Sequence, residues 1–181
     1  MPLRKVSSKL GREELKQYAL RVLGARAIST AQLKAKLRTR AGRREDVDEV
    51  VASLRAYGFL NDSRFAEGFA TARRDSRGFG RQRVMADLVK QRVAPAVARK
   101  AVDQAYAGTN ETAMIEAFLT RKYRGADLPA LLADERKLAA AYRRLRAAGF
   151  SSSQSIRVLK RFSARADDLE SMETDSGVEQ A

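Results

Sequence analysis

The chain contains neither cysteine nor histidine. Disulfides, thiolate nucleophiles, Cys/His zinc sites and imidazole general bases are thereby excluded together. Tryptophan is absent, aromatic residues make up 7% of the sequence, and Pro2, Pro95 and Pro129 are the only prolines. A core drawn from 44% hydrophobic residues must then be built mainly of Ala, Val and Leu, while Ala, Leu, Arg, Glu and Lys, all strong helix formers, dominate the middle of the chain. These features indicate an all-α fold. No apolar run approaches the roughly 20 residues that cross a bilayer, and the N-terminal stretch lacks the apolar segment of a secretory signal. A soluble, cytoplasmic protein is expected. Gly78-Phe79-Gly80 is too short for a dinucleotide fingerprint and is not followed by a phosphate-binding Gly-Lys-Ser/Thr. With no catalytic spacing anywhere, neither an enzyme nor a cofactor or metal is expected.

What the chain has in excess is positive charge. Lys and Arg number 36 against 22 Asp and Glu, for a net charge of +14 and a pI near 10.6. The excess runs along residues 1–163, whereas residues 164–181 carry one arginine against six acids. A cation surplus spread in this way suits a polyanionic partner such as nucleic acid, or an acidic protein surface. Read blandly, it is only a solubilising surface. The acidic tail has no periodic apolar face and reads as disordered, either as a plain terminus or as a polyanion mimic that folds back on the basic part.

In chain order, residues 1–11 read as a flexible basic leader. Leu15, Tyr18, Ala19, Val22 and Leu23 then recur at helical spacing over residues 12–26. Ser29 with Gln32 forms a capping box for a second helix carrying Leu33 and Leu37, ended by Gly42. Glu45 and Asp46 favour the start of a third, with Val47, Val50, Val51 and Leu54 inward. Residues 12–60 thus read as one three-helix repeat. A second, residues 61–108, starts at Asn61 or Asp62, breaks at Gly78 and Gly80, and reopens at Pro95. The third, residues 109–163, starts near Asn110, crosses a long irregular connection at residues 125–134, and closes with Ser151 and Gln154 as a second capping box. Superposing Leu37, Leu88 and Leu145 brings Val50, Val51 and Leu54 onto Ala101, Val102 and Ala105 and onto Val158, Leu159 and Phe162, all apolar. The expected architecture is an elongated tandem array of three three-helix repeats, suited to an extended partner.

Candidate contact residues follow from charge and face. On the last helix Ile156, Val158, Leu159 and Phe162 oppose Arg157, Lys160 and Arg161; on the helix before it Leu138, Ala141, Tyr142 and Leu145 oppose Arg136, Lys137, Arg143 and Arg144. Few acids offset these outward cations. Arg77, Arg81 and Arg83 surround a helix N-terminus, a ready anion site, and Arg64 and Arg74 complete the set. Phe65, Phe69, Phe118, Tyr142 and Phe162 lie at core periodicity. Phe79, Tyr106 and Tyr123 are less plainly inward and could stack on a base, although partial burial suits them better.

Residues 57–93 resemble the RecX family of bacterial recombination regulators. The resemblance is carried by Gly58-Phe59-Leu60-Asn61-Asp62 with Arg64-Phe65-Ala66, then Gly78 and the Val84 and Leu88 helix. Tyr18-Ala19-Leu20 with Leu23, the Ser29, Leu33 and Leu37 pattern, and residues 145–150 with Ile156 and Leu159 extend it over residues 12–163. Two departures stand out: the connection at residues 125–134 is longer than is usual in that family, and Val93 occupies a position where glycine is common. The resemblance implies a monomeric modulator without catalytic activity that binds the RecA–single-stranded DNA filament, largely through phosphates. It would restrain recombinase ATPase, strand exchange and coprotease function in DNA repair, recombination and the SOS response. The competing readings are a helix-turn-helix-like regulator that reads duplex DNA, which needs polar readers at a helix N-terminus, and a helical adaptor for an acidic protein.

Overall fold

The computed structural model describes residues 9–167 and residue 169. They form ten α-helices: α1 (Arg12–Ala25), α2 (Thr30–Arg40), α3 (Arg44–Ala56), α4 (Asp62–Arg77), α5 (Arg81–Lys90), α6 (Pro95–Ala105), α7 (Glu111–Lys122), α8 (Leu128–Leu132), α9 (Glu135–Ala147) and α10 (Ser152–Leu159). A 3-10 turn, Ala164–Asp167, follows. The fold is all-α, and among the described residues the only bridge-type pairing is that of Leu10 with Ala41. The chain divides into two compact units, one comprising Met1–Phe69 with Asp87–Val102 and the other Ala70–Ala86 with Asp103–Ala181.

The first unit is built on α1, α2 and α3, which pack on one another. Leu15, Leu33, Leu37 and Leu54 are fully buried at its centre, with Val47, Val50 and Val51 around them. The helix starts follow side-chain chemistry. Ser29 accepts from the Gln32 N–H while the Gln32 side chain reaches back to Ser29, and Asn61 accepts from the Arg64 N–H at 2.9 Å. Asp62 serves a different helix: its carboxylate accepts from the Thr30 N–H at 2.7 Å and so closes the start of α2. The end of α3 is a Schellman turn, with Gly58 at φ +76°, its N–H donating to Arg55 and the Phe59 N–H donating to Leu54.

The second unit has α10 packed on α7 and α9 around fully buried Ile115, Leu119, Leu138, Leu145, Phe150 and Leu159. The Phe118 and Phe150 rings meet edge to face at 5.6 Å. A second Schellman turn ends α9, with Gly149 at φ +91° and the Phe150 N–H donating to Leu145.

Four expectations are corrected. The connection at residues 125–134 contains α8, which Pro129 helps to start and which buries Leu132 completely. Ser151 forms no capping box; its N–H and hydroxyl both donate to the Glu111 carboxylate, at 2.7 and 2.9 Å, while Gln154 accepts from Thr112. A carboxylate is the stronger acceptor, so the serine acts as a tie between helices. The leader is fixed at its end, where Leu10 exchanges backbone hydrogen bonds with Arg40 and Gly42; residues 1–8 lie outside the described residues. The stretch expected to be disordered begins with structure, because Ala166 and Leu169 are buried in the second unit's core. Residues 168 and 170–181 lie outside the described residues.

The left-handed position after α5 falls at Arg92, with φ +59°, one residue before the Val93 singled out in the sequence. A side chain there costs about 1 kcal/mol. In unit two, a Cβ at Gly80 would overlap the Gly149 carbonyl, and one at Gly149 would overlap the Arg83 backbone. Arg92→Gly is accordingly expected to stabilise the protein by about 0.5 kcal/mol, part of the relief being lost to a freer unfolded chain. Gly80→Ala should destabilise it by about 3 kcal/mol. Urea denaturation of both variants checks the opposite signs.

Candidate nucleic-acid interface

The outward cations of α9, and Arg157 on α10, are where the helical period puts them. Arg136, Lys137, Arg143 and Arg144 are exposed on α9, whose other side buries Leu138, Ala141, Tyr142 and Leu145; Arg157 is exposed on α10, opposite Ile156, Val158 and Leu159, but the helix ends at Leu159, so Lys160 and Arg161, expected on it, are exposed in the turn that follows. Asp134 caps α9 by accepting from the Lys137 N–H, which holds its carboxyl below the usual range. Not all of these cations are equally available. Arg161 pairs with Glu116, and Arg144 donates to the Tyr123 hydroxyl at 3.0 Å and lies over its ring. Arg136, Lys137, Arg143 and Arg157 make no ion pair among the described residues.

The cluster around residues 74–83 is more heavily engaged. Arg74 pairs with Asp75 and donates to the Ala105 carbonyl at the end of α6; the Asp75 bond raises the guanidinium's pKa and lowers the carboxyl's. Arg81 pairs with Asp103. Arg83 donates to the Ala147 carbonyl and lies over the Phe79 ring. At the start of α5, the Gly80 and Gln82 N–H groups donate to the Ala148 and Gly149 carbonyls at 2.8 and 3.1 Å. Donors that would cradle an anion are therefore spent on the α9 turn, and the expected anion site at this helix start is partly filled by backbone. Arg77 stays exposed, while its carbonyl accepts from Arg121. Tyr106 is buried rather than poised to stack, donating to the Phe79 carbonyl at 2.5 Å.

In unit one, Arg64 is exposed on the first turns of α4. It stands at the edge of a groove of about 660 Å³ that Phe65 and Phe69 also line. Those two rings were expected in the core but are only partly buried, 5.9 Å apart. Phe59, which periodicity did not single out, is 57% exposed at the same groove. Its place after the Gly58 turn is the sequence signal that could have found it, since the residue following a helix-ending glycine leaves the helical period.

A family model described as "RecX, second three-helix domain" matches residues 61–102. "Regulatory protein RecX" of Trichlorobacter lovleyi is 31% identical over 120 residues, covering 66% of this chain and 77% of that protein. This chain belongs to the RecX family. The protein of the same name from Syntrophotalea carbinolica is 28% identical over 135 residues, 75% of this chain and 87% of that one. The crystal structure of RecX from Lactobacillus salivarius superposes with a TM-score of 0.65 at 16% identity, over 83% of this chain and 96% of that chain. At that identity it speaks for the shared fold.

The RecX signature can now be divided by role. Leu60 and Ala66 are buried, and Asn61 and Asp62 cap α4 and α2. Phe59, Arg64 and Phe65 face the groove instead. Among the described residues no helix is long and apolar enough to cross a membrane, and no cluster of acidic side chains could hold a metal ion.

Burial pushes the Tyr106 hydroxyl up to about 12, against the opposing pull of Arg74 and Arg81. The unfolded tyrosine ionises near 10, so the native state holds this proton more tightly. The resulting stability is complete below about pH 10 and is lost as pH rises through 12, a change of roughly 2 kcal/mol. Urea midpoints measured across this window should fall steeply. Tyr106→Phe should flatten that fall, and at pH 7 it should lose about 1 kcal/mol with the hydrogen bond to Phe79.

Proposed function

We propose that this RecX-family regulatory protein binds the filament that RecA recombinase forms on single-stranded DNA and restrains its ATP hydrolysis, strand exchange and coprotease activity. Family membership carries the reading, established by a relative named a regulatory protein that aligns over most of its own length. The exposed cations of α9 and α10 support it physically, because sequence-independent contact with a phosphate backbone needs outward cations and no base-reading side chains. In this reading the protein works as a cytoplasmic monomer without catalysis of its own, in DNA repair, recombination and the SOS response. Arg64, Arg77, Arg136, Lys137, Arg143 and Arg157 are its readiest contacts. Arg74, Arg81, Arg83, Arg144 and Arg161 are already held by contacts within the chain and add little to this binding, while Lys160 stands exposed in the turn after α10.

The test is ATP hydrolysis by the host recombinase on single-stranded DNA, titrated with the full chain at two salt concentrations beside binding to the DNA alone. Inhibition is expected at protein levels well below those that coat free DNA, and higher salt should raise the concentration needed. No inhibition, together with tight binding to one duplex sequence, would replace this reading with that of a duplex-reading regulator.

A further inference from the structure

The cations of α9 and α10 outnumber the acids that the fold supplies to them. In unit one Arg12, Lys34 and Arg43 are paired with Glu49, Asp48 and Glu45. Residues 135–163, by contrast, hold eight Lys and Arg against Glu135 alone, and Arg136, Lys137, Arg143 and Arg157 make no ion pair among the described residues. Acids follow soon after. Glu170, Glu173, Asp175 and Glu179 lie in residues 170–181, which contain no Lys or Arg. The structure fixes where this stretch is attached: Ala166 and Leu169 are buried in the core of unit two, and the 3-10 turn that carries Ala166 packs on α10. The chain beyond Leu169 therefore starts on the unit that bears the four cations. Twelve extended residues span about 40 Å, more than the roughly 35 Å width of a compact unit of about a hundred residues, so all four cations lie within reach.

We propose that residues 170–181 are a built-in competitor, whose carboxylates meet Arg136, Lys137, Arg143 and Arg157 and are displaced by any phosphate backbone that binds there. Exposed ion pairs are individually weak. A short tether, however, holds the acids at an effective concentration in the millimolar range, so several weak pairs together occupy the surface. Cations already engaged, such as Arg81 and Arg161, offer this stretch less. The consequence is a threshold. A ligand with few negative charges does not displace the competitor, whereas a nucleic-acid strand that presents many phosphates at once and releases its counterions does. The identity of that displacing ligand rests on the proposed function; the contact between the acids and the cations does not.

The lack of cysteine permits a direct test, because Gly177→Cys in the full chain carries a single thiol for a nitroxide spin label. Paramagnetic broadening of backbone amide signals then reports what the label approaches. At low salt the signals of Arg136, Lys137, Arg143 and Arg157 should broaden more than those of Arg38 and Arg44, exposed cations of unit one. The broadening should vanish when Glu170, Glu173 and Glu179 are changed to Gln and Asp175 to Asn, at about 1 M salt, where screening shortens to about 3 Å, and on saturation with oligothymidine. The unlabelled neutralised chain should bind a fluorescein-labelled oligothymidine about fivefold more tightly than wild type at low salt. Tighter binding without selective broadening would reflect net charge alone and would overturn the proposal, as would broadening that is absent, spread evenly over both units, or undiminished by bound oligothymidine. Selective broadening in a chain that does not bind oligothymidine would support the internal contact and count against the proposed function instead.

Discussion

The second unit depends on the close approach of two backbones, at Gly80 and at Gly149. Neither position has space for a Cβ. Because the chains can touch there, the Gly80 and Gln82 N–H groups reach the carbonyls at the end of α9, and the start of one helix satisfies the end of another. Tyr106 braces the same segment from behind through the Phe79 carbonyl. Buried Phe150 follows directly and closes the core against Phe118. A strongly basic helical chain thus keeps its short inter-helix breaks ordered by neutral backbone contacts, which salt does not weaken.

That constraint decides which cations remain for a partner. Arg83 is drawn onto the α9 carboxyl end, where a cation also favours the helix dipole, and Arg81 and Arg74 are drawn onto Asp103 and Asp75. The outward cations of α9, α10 and the turn after it divide in the same way, Arg144 and Arg161 being engaged while Arg136, Lys137, Arg143 and Arg157 make no ion pair among the described residues. Exposed ion pairs contribute little stability each. Their main effect here is to hold a side chain in place, so the surface carries an engaged set of charges and, among the described residues, a set without ion pairs. In unit one the RecX signature is divided similarly, between capping and burial at Leu60, Asn61, Asp62 and Ala66 and the open groove at Phe59, Arg64 and Phe65.

Most helix positions were legible because their determinants are local. The Ser29 and Gln32 cap, the Asn110 start of α7, the Gly58 turn and the apolar stripes of α1, α3 and α9 all act within a few residues. Determinants that act across the chain were not. Ser151 is claimed by Glu111, forty residues away, and Arg74 by a carbonyl at the end of α6. Helix α8, five residues long, is too short to show a period. Periodicity placed Phe65 and Phe69 on an inward face but could not tell that, among the described residues, both rings stay only partly buried. The contrast between available and engaged cations was invisible for the same reason, since every arginine looks alike until its neighbours are known.

The proposed filament binding would rest on the cations that folding leaves unengaged. It is tested most directly by the salt dependence of binding to a preformed recombinase filament on single-stranded DNA, comparing a variant with Arg136, Lys137, Arg143 and Arg157 changed to Gln against one with Arg81 and Arg161 changed to Gln. At about −0.7 per phosphate in the log–log slope, the first variant should bind with a slope shallower by up to about 3 and keep its denaturation midpoint, while the second keeps a slope close to wild type. An unchanged slope in the first variant, or an equal flattening in the second, would contradict the account.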